Sequence, residues 1–119
     1  MIGFWLVAAI AALHVWILVL EMFLWEGPIA RRAFGTSEVF AANTKVMAAN
    51  QGLYNGFLAA GLVWALILGL PGEGWQEAVF FLTCVLVAGI YGGQTASRRI
   101  LYVQALPAAL ALVAVLTGF

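Results

Sequence analysis

Charged residues are scarce in this chain of 119 residues. Asp, Glu, Lys and Arg together make up 8% of it, hydrophobic residues make up 66%, and the formal net charge is zero. Because a water-soluble domain carries about a quarter charged residues, this composition excludes an ordinary water-soluble fold. No run of basic residues is present either, so we expect no nucleic-acid partner.

Cysteine and histidine are almost absent, with one of each, Cys84 and His14. One thiol forms neither a disulfide within the chain nor a cysteine-based metal site. A catalytic zinc ion normally has three protein ligands, so we expect no metal site. No nucleophile and base pair or phosphate-binding glycine loop stands at diagnostic spacing. The sequence therefore identifies no cofactor and leaves open whether the protein is an enzyme.

Long apolar runs are what the chain has instead. About 20 apolar residues are needed to cross the hydrocarbon core of a bilayer. Four segments approach or exceed that length, at residues 2–25, 48–70, 75–96 and 100–117. The connection at 26–47 is too polar to cross and predicts a short interfacial helix, capped by Thr36 or Ser37. We predict an all-α fold, a single transmembrane domain over residues 1–119 that forms an integral membrane four-helix bundle.

The basic residues predict the orientation of that bundle. All five Lys and Arg residues fall in the first and third connections, within residues 26–47 and 97–99. Lys and Arg accumulate in cytoplasmic loops, whereas acidic residues contribute little to the orientation. We therefore expect both connections to be cytoplasmic, and both termini and the turn at 71–74 to lie outside. The expected location is the cell inner membrane.

Glu21 is the one acid clearly inside an apolar segment. An ionisable group there costs at least about 2.5 kcal/mol and tends to be retained for a function or a partner. At 1.5 Å of rise per residue, Glu21 lies roughly 7 Å from the cytoplasmic interface. The same arithmetic predicts a similar depth for one polar residue of each other segment, namely Asn55, Tyr91 and Gln104.

These residues predict a polar site that opens towards the cytoplasm and binds a small amphipathic molecule or a membrane lipid. Amides and a tyrosine would orient the head group, Glu21 would accept hydrogen bonds from it, and apolar walls would hold the tail. The alternative is that Glu21 only joins helices through hydrogen bonds. The predicted ligand-binding residues are Glu21, Asn50, Gln51, Asn55, Tyr91, Gln94 and Gln104, with His14, Tyr54 and Thr95 as secondary candidates.

Four stretches of the chain resemble a family of small bacterial and fungal membrane proteins named domain of unknown function 1304. The resemblance implies a four-helix integral membrane fold, and the family has no established activity. The matching stretches reach all four apolar segments: 14–25 (HVWILVLEMFLW), 50–61 (NQGLYNGFLAAG), 88–95 (AGIYGGQT) and 104–109 (QALPAA).

A weaker likeness connects residues 49–57 (ANQGLYNGF) to the membrane-associated eicosanoid and glutathione enzymes. Those enzymes begin their second helix with a similar polar run, although Tyr54 stands where their pattern has Glu. The likeness implies a glutathione-transferase-like membrane enzyme for lipophilic substrates, in which Tyr54 or Tyr91 stabilises a thiolate, and it implies a trimer. We expect a homo-oligomer, either a dimer or a trimer. A second alternative is a small proton-coupled transporter that uses the isolated acid Glu21.

Overall fold

The computed structural model describes all 119 residues, and the fold is all-α. A π-helical turn, Leu101–Ala105, leads directly into the last helix. Three helices are long and apolar enough to cross a membrane by length and composition, and Leu101–Thr117 is a shorter apolar helix. The five helices are α1 (Ile2–Met22), α2 (Pro28–Phe34), α3 (Glu38–Leu68), α4 (Trp75–Thr95) and α5 (Leu106–Thr117).

The polar connection after α1 contains the short helix α2, but it is not the helix that Ser37 caps. Pro28 opens α2, where a missing N–H costs nothing, and α2 ends at Gly35 in the left-handed conformation with φ 67°. The Ser37 hydroxyl oxygen accepts a hydrogen bond from the Phe40 N–H at 3.1 Å, at the start of α3. The second long helix therefore begins at Glu38, well before the apolar segment that starts at residue 48.

Pro107 lies in the first turn of the last helix, α5, and affects its backbone. Proline has no N–H to donate, and its ring clashes with the carbonyl four residues earlier, here that of Val103. The π-helical turn Leu101–Ala105 lies directly before this proline. A widened turn of this kind accommodates the missing hydrogen bond, so α5 continues to Thr117.

The chain divides into two compact units. Unit 1 comprises residues 1–12 and 58–119, and unit 2 comprises residues 13–57. Each of α1 and α3 contributes one part of its length to unit 1 and the other part to unit 2.

Unit 1 has a wholly apolar core, to which α1, α3, α4 and α5 all contribute. Its fully buried side chains include Val7, Leu62, Leu82 and Val85. Glycines bring its helices close together: a Cβ atom on Gly89 of α4 would lie 2.6 Å from the backbone nitrogen of Ala105. Glycine and alanine permit such close approach, which strengthens packing between helices that lipid surrounds.

Unit 2 contains the last part of α1, the whole of α2 and the first part of α3. Hydrogen bonds, an aromatic contact and an ion pair join these segments. The Trp25 indole N–H donates to the Thr44 hydroxyl at 3.1 Å, and the Trp25 ring lies 5.0 Å from that of Phe34. An exposed ion pair joins Lys45 to Glu26, with 3.4 Å between nitrogen and oxygen. These contacts fix α2 beside the start of α3.

Candidate functional site

The buried polar side chains of the protein are His14 and Glu21, and both belong to α1. The side-chain amide of Asn55 on α3 donates a hydrogen bond to Oε1 of Glu21 at 2.7 Å. The same amide donates to the backbone carbonyl of Gln51 at 3.1 Å, which holds the Asn55 side chain in place. The structure thus joins directly two residues that the sequence predicts to lie at one depth.

Two glycines on α3 allow this short contact. A Cβ atom on Gly52 would lie 3.1 Å from Cβ of Glu21 and 3.2 Å from the backbone oxygen of Leu18. One on Gly56 would lie 2.6 Å from a methyl group of Leu18. Gly52 was not among the residues predicted to matter, yet Gly52 and Gly56 have the Gly-x-x-x-Gly spacing that marks close helix contacts in membranes. The close contact between α1 and α3 could therefore have been predicted from this spacing in the sequence.

The other predicted residues of unit 2 take different positions. Asn50 is exposed, and its amide donates to the Val46 carbonyl of the same helix at 2.9 Å. Gln51 and Tyr54 are also exposed. His14 is fully buried. Within unit 2, Asn55 is therefore the predicted residue that the structure brings to Glu21.

The predicted residues of unit 1 lie on or just after α4. Tyr91, Gln94 and Thr95 are exposed along the last turns of α4, and the Thr95 hydroxyl donates to the Tyr91 carbonyl at 2.7 Å. Gln104 is partly buried in the π-helical turn before α5. Tyr91, Gln94 and Thr95 are spaced by three and four residues and therefore share one face of the helix.

A groove of about 800 Å³ lies along α4, and we call it the α4 groove. It begins at Trp75 and Gln76 and ends at Tyr91. Its middle is lined by small or short side chains, Val79, Thr83, Cys84, Val87 and Ala88, and Phe80 adds an aromatic wall. Small side chains between aromatic ones give the helix face its concavity. The volume is within the range of roughly 300–1,000 Å³ that small-molecule sites occupy.

A second cavity of about 430 Å³ follows at the end of α4, and we call it the connection pocket. Its lining is more polar: Gln94, Thr95, Ser97 and Arg98, together with Gly93, Ala96 and Leu101. Gln94 and Thr95 lie three and four residues beyond Tyr91, so the helical repeat puts them on the face that carries the α4 groove. One face of unit 1 is therefore apolar over most of its length and polar at one end.

The α4 groove and the connection pocket offer mainly apolar surface, with polar groups at one end. No group of three or more His, Cys, Asp or Glu side chains is close enough to share a metal ion. What the chain does present is a long apolar groove, exposed amide and hydroxyl groups, and one arginine at the polar end. Apolar walls with a few polar groups at one end are typical of sites for small organic ligands.

A comparison with protein families identifies the group to which the chain is related. The model of the family described as "Protein of unknown function (DUF1304)" matches residues 8–116, which is most of the chain. The chain belongs to the DUF1304 family. The resemblance inferred from the four sequence stretches is thereby confirmed.

A relative of this DUF1304 protein gives no activity either. The chain is 29% identical over 101 residues to the "Uncharacterized protein YpaA" of Lactococcus lactis subsp. lactis, which covers 82% of each chain. No solved structure matches. Both matches are to proteins without an assigned function, and neither supports the likeness to glutathione and eicosanoid enzymes.

Proposed function

We propose that this DUF1304 protein is an integral protein of the inner membrane that binds a small amphipathic molecule or lipid. Membrane integration is supported by three long apolar helices and by the distribution of side-chain size. Large apolar side chains such as those of Trp5, Trp64 and Ile67 are exposed, whereas alanines occupy much of the core. Exposed apolar surface on this scale needs a lipid or protein covering.

The proposed topology is a single four-helix transmembrane domain with both termini outside. The apolar helix Leu101–Thr117 has 17 residues, which at 1.5 Å per residue gives about 26 Å, close to the thickness of about 30 Å that it would cross. The Gly3 N–H donates to the carbonyl of Phe119 at 3.2 Å, and such adjacent ends lie on one side of a membrane, where an even number of crossings puts them. The basic connections 26–47 and 97–99 would be cytoplasmic.

The main support for ligand binding is the α4 groove, which the connection pocket continues. In this proposal the apolar tail lies against Val79, Thr83 and Val87, and Tyr91 lies where the tail meets the head group. The head group then lies beside Gln94. An apolar molecule gains little binding free energy when it displaces bilayer lipid from a helix face, because lipid chains are equally apolar. The polar end of the site must therefore distinguish the ligand from bulk lipid.

The Glu21 and Asn55 pair favours a second candidate function, proton-coupled transport. A buried acid inside an apolar helix is the group that such transporters use to exchange a proton for substrate. Under this alternative, Glu21→Gln keeps an oxygen that can accept the Asn55 hydrogen bond but removes the proton exchange. Substrate release would then lose its pH dependence while the protein stays folded.

The test of amphipathic-ligand binding is native mass spectrometry of the detergent-solubilised protein. Val87→Trp fills the α4 groove, and Val113→Trp adds the same side chain to α5, where the valine is equally exposed, at 60% against 61%. We expect wild type and Val113→Trp to retain a bound small molecule that Val87→Trp loses. Equal retention in all three proteins, or none in any, contradicts the proposal.

We also propose that the protein forms a dimer or a trimer, and the same spectra test this because they count subunits. A monomer in every mild detergent would contradict it. The Glu21→Gln variant is measured in the same experiment. If this variant loses the retained molecule, Glu21 is one of the ligand-binding residues. Unchanged retention with a lower melting temperature would instead indicate that the Glu21 and Asn55 pair joins helices.

A further inference from the structure

We infer that the ligand is an anionic phospholipid, whose acyl chain lies in the α4 groove and whose head group is held in the connection pocket by Arg98. This inference rests on the proposed function and adds the charge and chemical class of the ligand. It is based on one observation in unit 1: an apolar groove and a polar pocket that contains an arginine lie next to each other on the same face.

The charge at the two ends of α4 favours an anion at the connection pocket. Arg98 lines the pocket, no acidic residue does, and Arg98 makes no ion pair within the chain. The acidic residues near α4, Glu73 and Glu77, lie at its opposite end, beside the start of the α4 groove. A cationic head group in the pocket would meet Arg98 without a compensating acid, whereas a phosphate oxygen would accept charge-assisted hydrogen bonds from it.

Several polar groups of the pocket are already used, which identifies those that remain for a ligand. The Ser97 hydroxyl oxygen accepts a hydrogen bond from the Arg99 N–H at 3.3 Å, and the Ser97 carbonyl accepts one from the Ile100 N–H at 3.1 Å. The Thr95 hydroxyl donates to the helix backbone. The guanidinium of Arg98, the amide of Gln94 and the O–H of Ser97, whose oxygen only accepts within the chain, are the side-chain donors left to meet a head group.

The length of the α4 groove distinguishes a lipid from a free anion. From Trp75 to Tyr91 the helix rises about 24 Å at 1.5 Å per residue, which exceeds half of the roughly 30 Å hydrocarbon thickness. A lipid whose chain follows the groove from its Tyr91 end therefore finds apolar surface throughout its leaflet. Arg98 is then at the membrane interface, where phosphates lie and where arginine side chains extend to meet them. A free phosphate would gain nothing from the groove.

The experiment compares retention of two phospholipids with identical acyl chains. The purified protein is equilibrated with equimolar phosphatidylglycerol, which is anionic, and phosphatidylcholine, which has no net charge, and bound lipids are counted by native mass spectrometry. Both head groups carry a phosphate that Arg98 can bind, but the choline cation of phosphatidylcholine would then lie beside Arg98 with no acid to compensate it. We therefore expect wild type to prefer phosphatidylglycerol by about tenfold, which corresponds to about 1.4 kcal/mol. Arg98→Gln should reduce the preference to within about twofold.

Arg32→Gln is the matched control, because it removes one exposed arginine from α2, outside the pocket. It should keep the wild-type preference. An equal drop in both variants overturns the inference, since net charge alone would then explain the selectivity. Val87→Trp should reduce retention of both lipids, because it blocks the groove that the chains share.

Other outcomes separate the inference from the proposed function. Equal retention of both lipids by wild type, with both lost in Val87→Trp, overturns the anionic head group and keeps amphipathic binding. Retention of inorganic phosphate without lipid overturns the lipid assignment. A wild-type dimer that Val87→Trp dissociates shows that the groove binds a second copy of the chain and overturns both.

Discussion

Units 1 and 2 are stabilised by different interactions. Unit 1 has an apolar core, in which Gly89 brings the backbone of α4 close to that of Ala105. Unit 2 buries few apolar side chains, and directed hydrogen bonds join its helices, from Asn55 to Glu21 and from Trp25 to Thr44. Unit 1 should therefore be sensitive to added volume, and unit 2 to the loss of a donor or an acceptor.

Under the proposed membrane location, the difference follows from what a lipid environment offers. Lipid chains are as apolar as leucine, so burial of an apolar side chain between membrane helices adds little by itself. Helices must then associate through close packing or through polar contacts. Unit 1 uses mainly the first means, and unit 2 combines it, at Gly52, with the second.

The largest effect in unit 1 is expected for Gly89→Ala. The new Cβ would lie 2.6 Å from the nitrogen and 2.9 Å from Cα of Ala105, and these are backbone atoms that move only if the helices separate. Overpacking of this kind costs about 1–3 kcal/mol. Thermal unfolding in detergent, followed by circular dichroism, should show a lower midpoint.

Gly92→Ala is the matched control on the same helix. Its Cβ would meet only side-chain atoms of Ile100, at 3.3 Å, and alanine favours the helix over glycine by up to about 1 kcal/mol. Its midpoint should equal or exceed that of wild type. Equal losses in the two variants would contradict the assignment of close backbone packing at Gly89.

In unit 2, Asn55→Leu should destabilise the protein by about 1–3 kcal/mol, because it leaves the buried Glu21 carboxyl without its side-chain donor. The double variant Glu21→Leu/Asn55→Leu should be more stable than Asn55→Leu, since no unpaired polar group remains. Asn50→Leu is the control, because the exposed Asn50 bonds only to its own helix. Additive losses in the double variant would show that the pair is not coupled.

Much of the fold was predictable from the sequence, because segment length and hydropathy alone predict apolar helices. The start of α3 was not predictable in this way, because hydropathy marks only where the apolar segment begins. A helix continues past that point when its residues favour it. Residues 38–47 include Glu38 and Lys45 and still form the first turns of α3. The N-terminal boundary of α3 is therefore determined by helix propensity, which does not depend on hydropathy.

The candidate site was predictable only in part, because depth along a helix says nothing about rotation around it. Counting residues predicts a common depth for Asn55 and Tyr91, yet Asn55 bonds to Glu21 and Tyr91 is exposed beside the α4 groove. The rotation of a helix is determined by which glycines permit close contact, and in unit 2 those residues are Gly52 and Gly56. The connection pocket was missed because an arginine in a short loop predicts orientation and carries no ligand signal of its own.

A smaller effect is expected for Trp25→Phe, which keeps an aromatic ring beside Phe34 but removes the N–H that donates to Thr44. A hydrogen bond of this kind contributes about 0.5–1.5 kcal/mol. The midpoint of thermal unfolding should fall accordingly. Thr44→Val removes the acceptor instead, and combining both changes should cost less than the sum of the two. A strictly additive double variant would show that the hydrogen bond does not stabilise unit 2.

The smallest effect is expected for Lys45→Gln, although Lys45 also joins the start of α3 to the segment after α1. Its ion pair with Glu26 spans 3.4 Å, and the two side chains are 67% and 48% exposed. Water and salt screen such a pair, and exposed pairs contribute about 0–1 kcal/mol. The midpoint should change less than for Trp25→Phe and should move little between low and high salt. A larger loss at low salt than that of Trp25→Phe would mean that charge, rather than directed hydrogen bonds, joins the helices of unit 2.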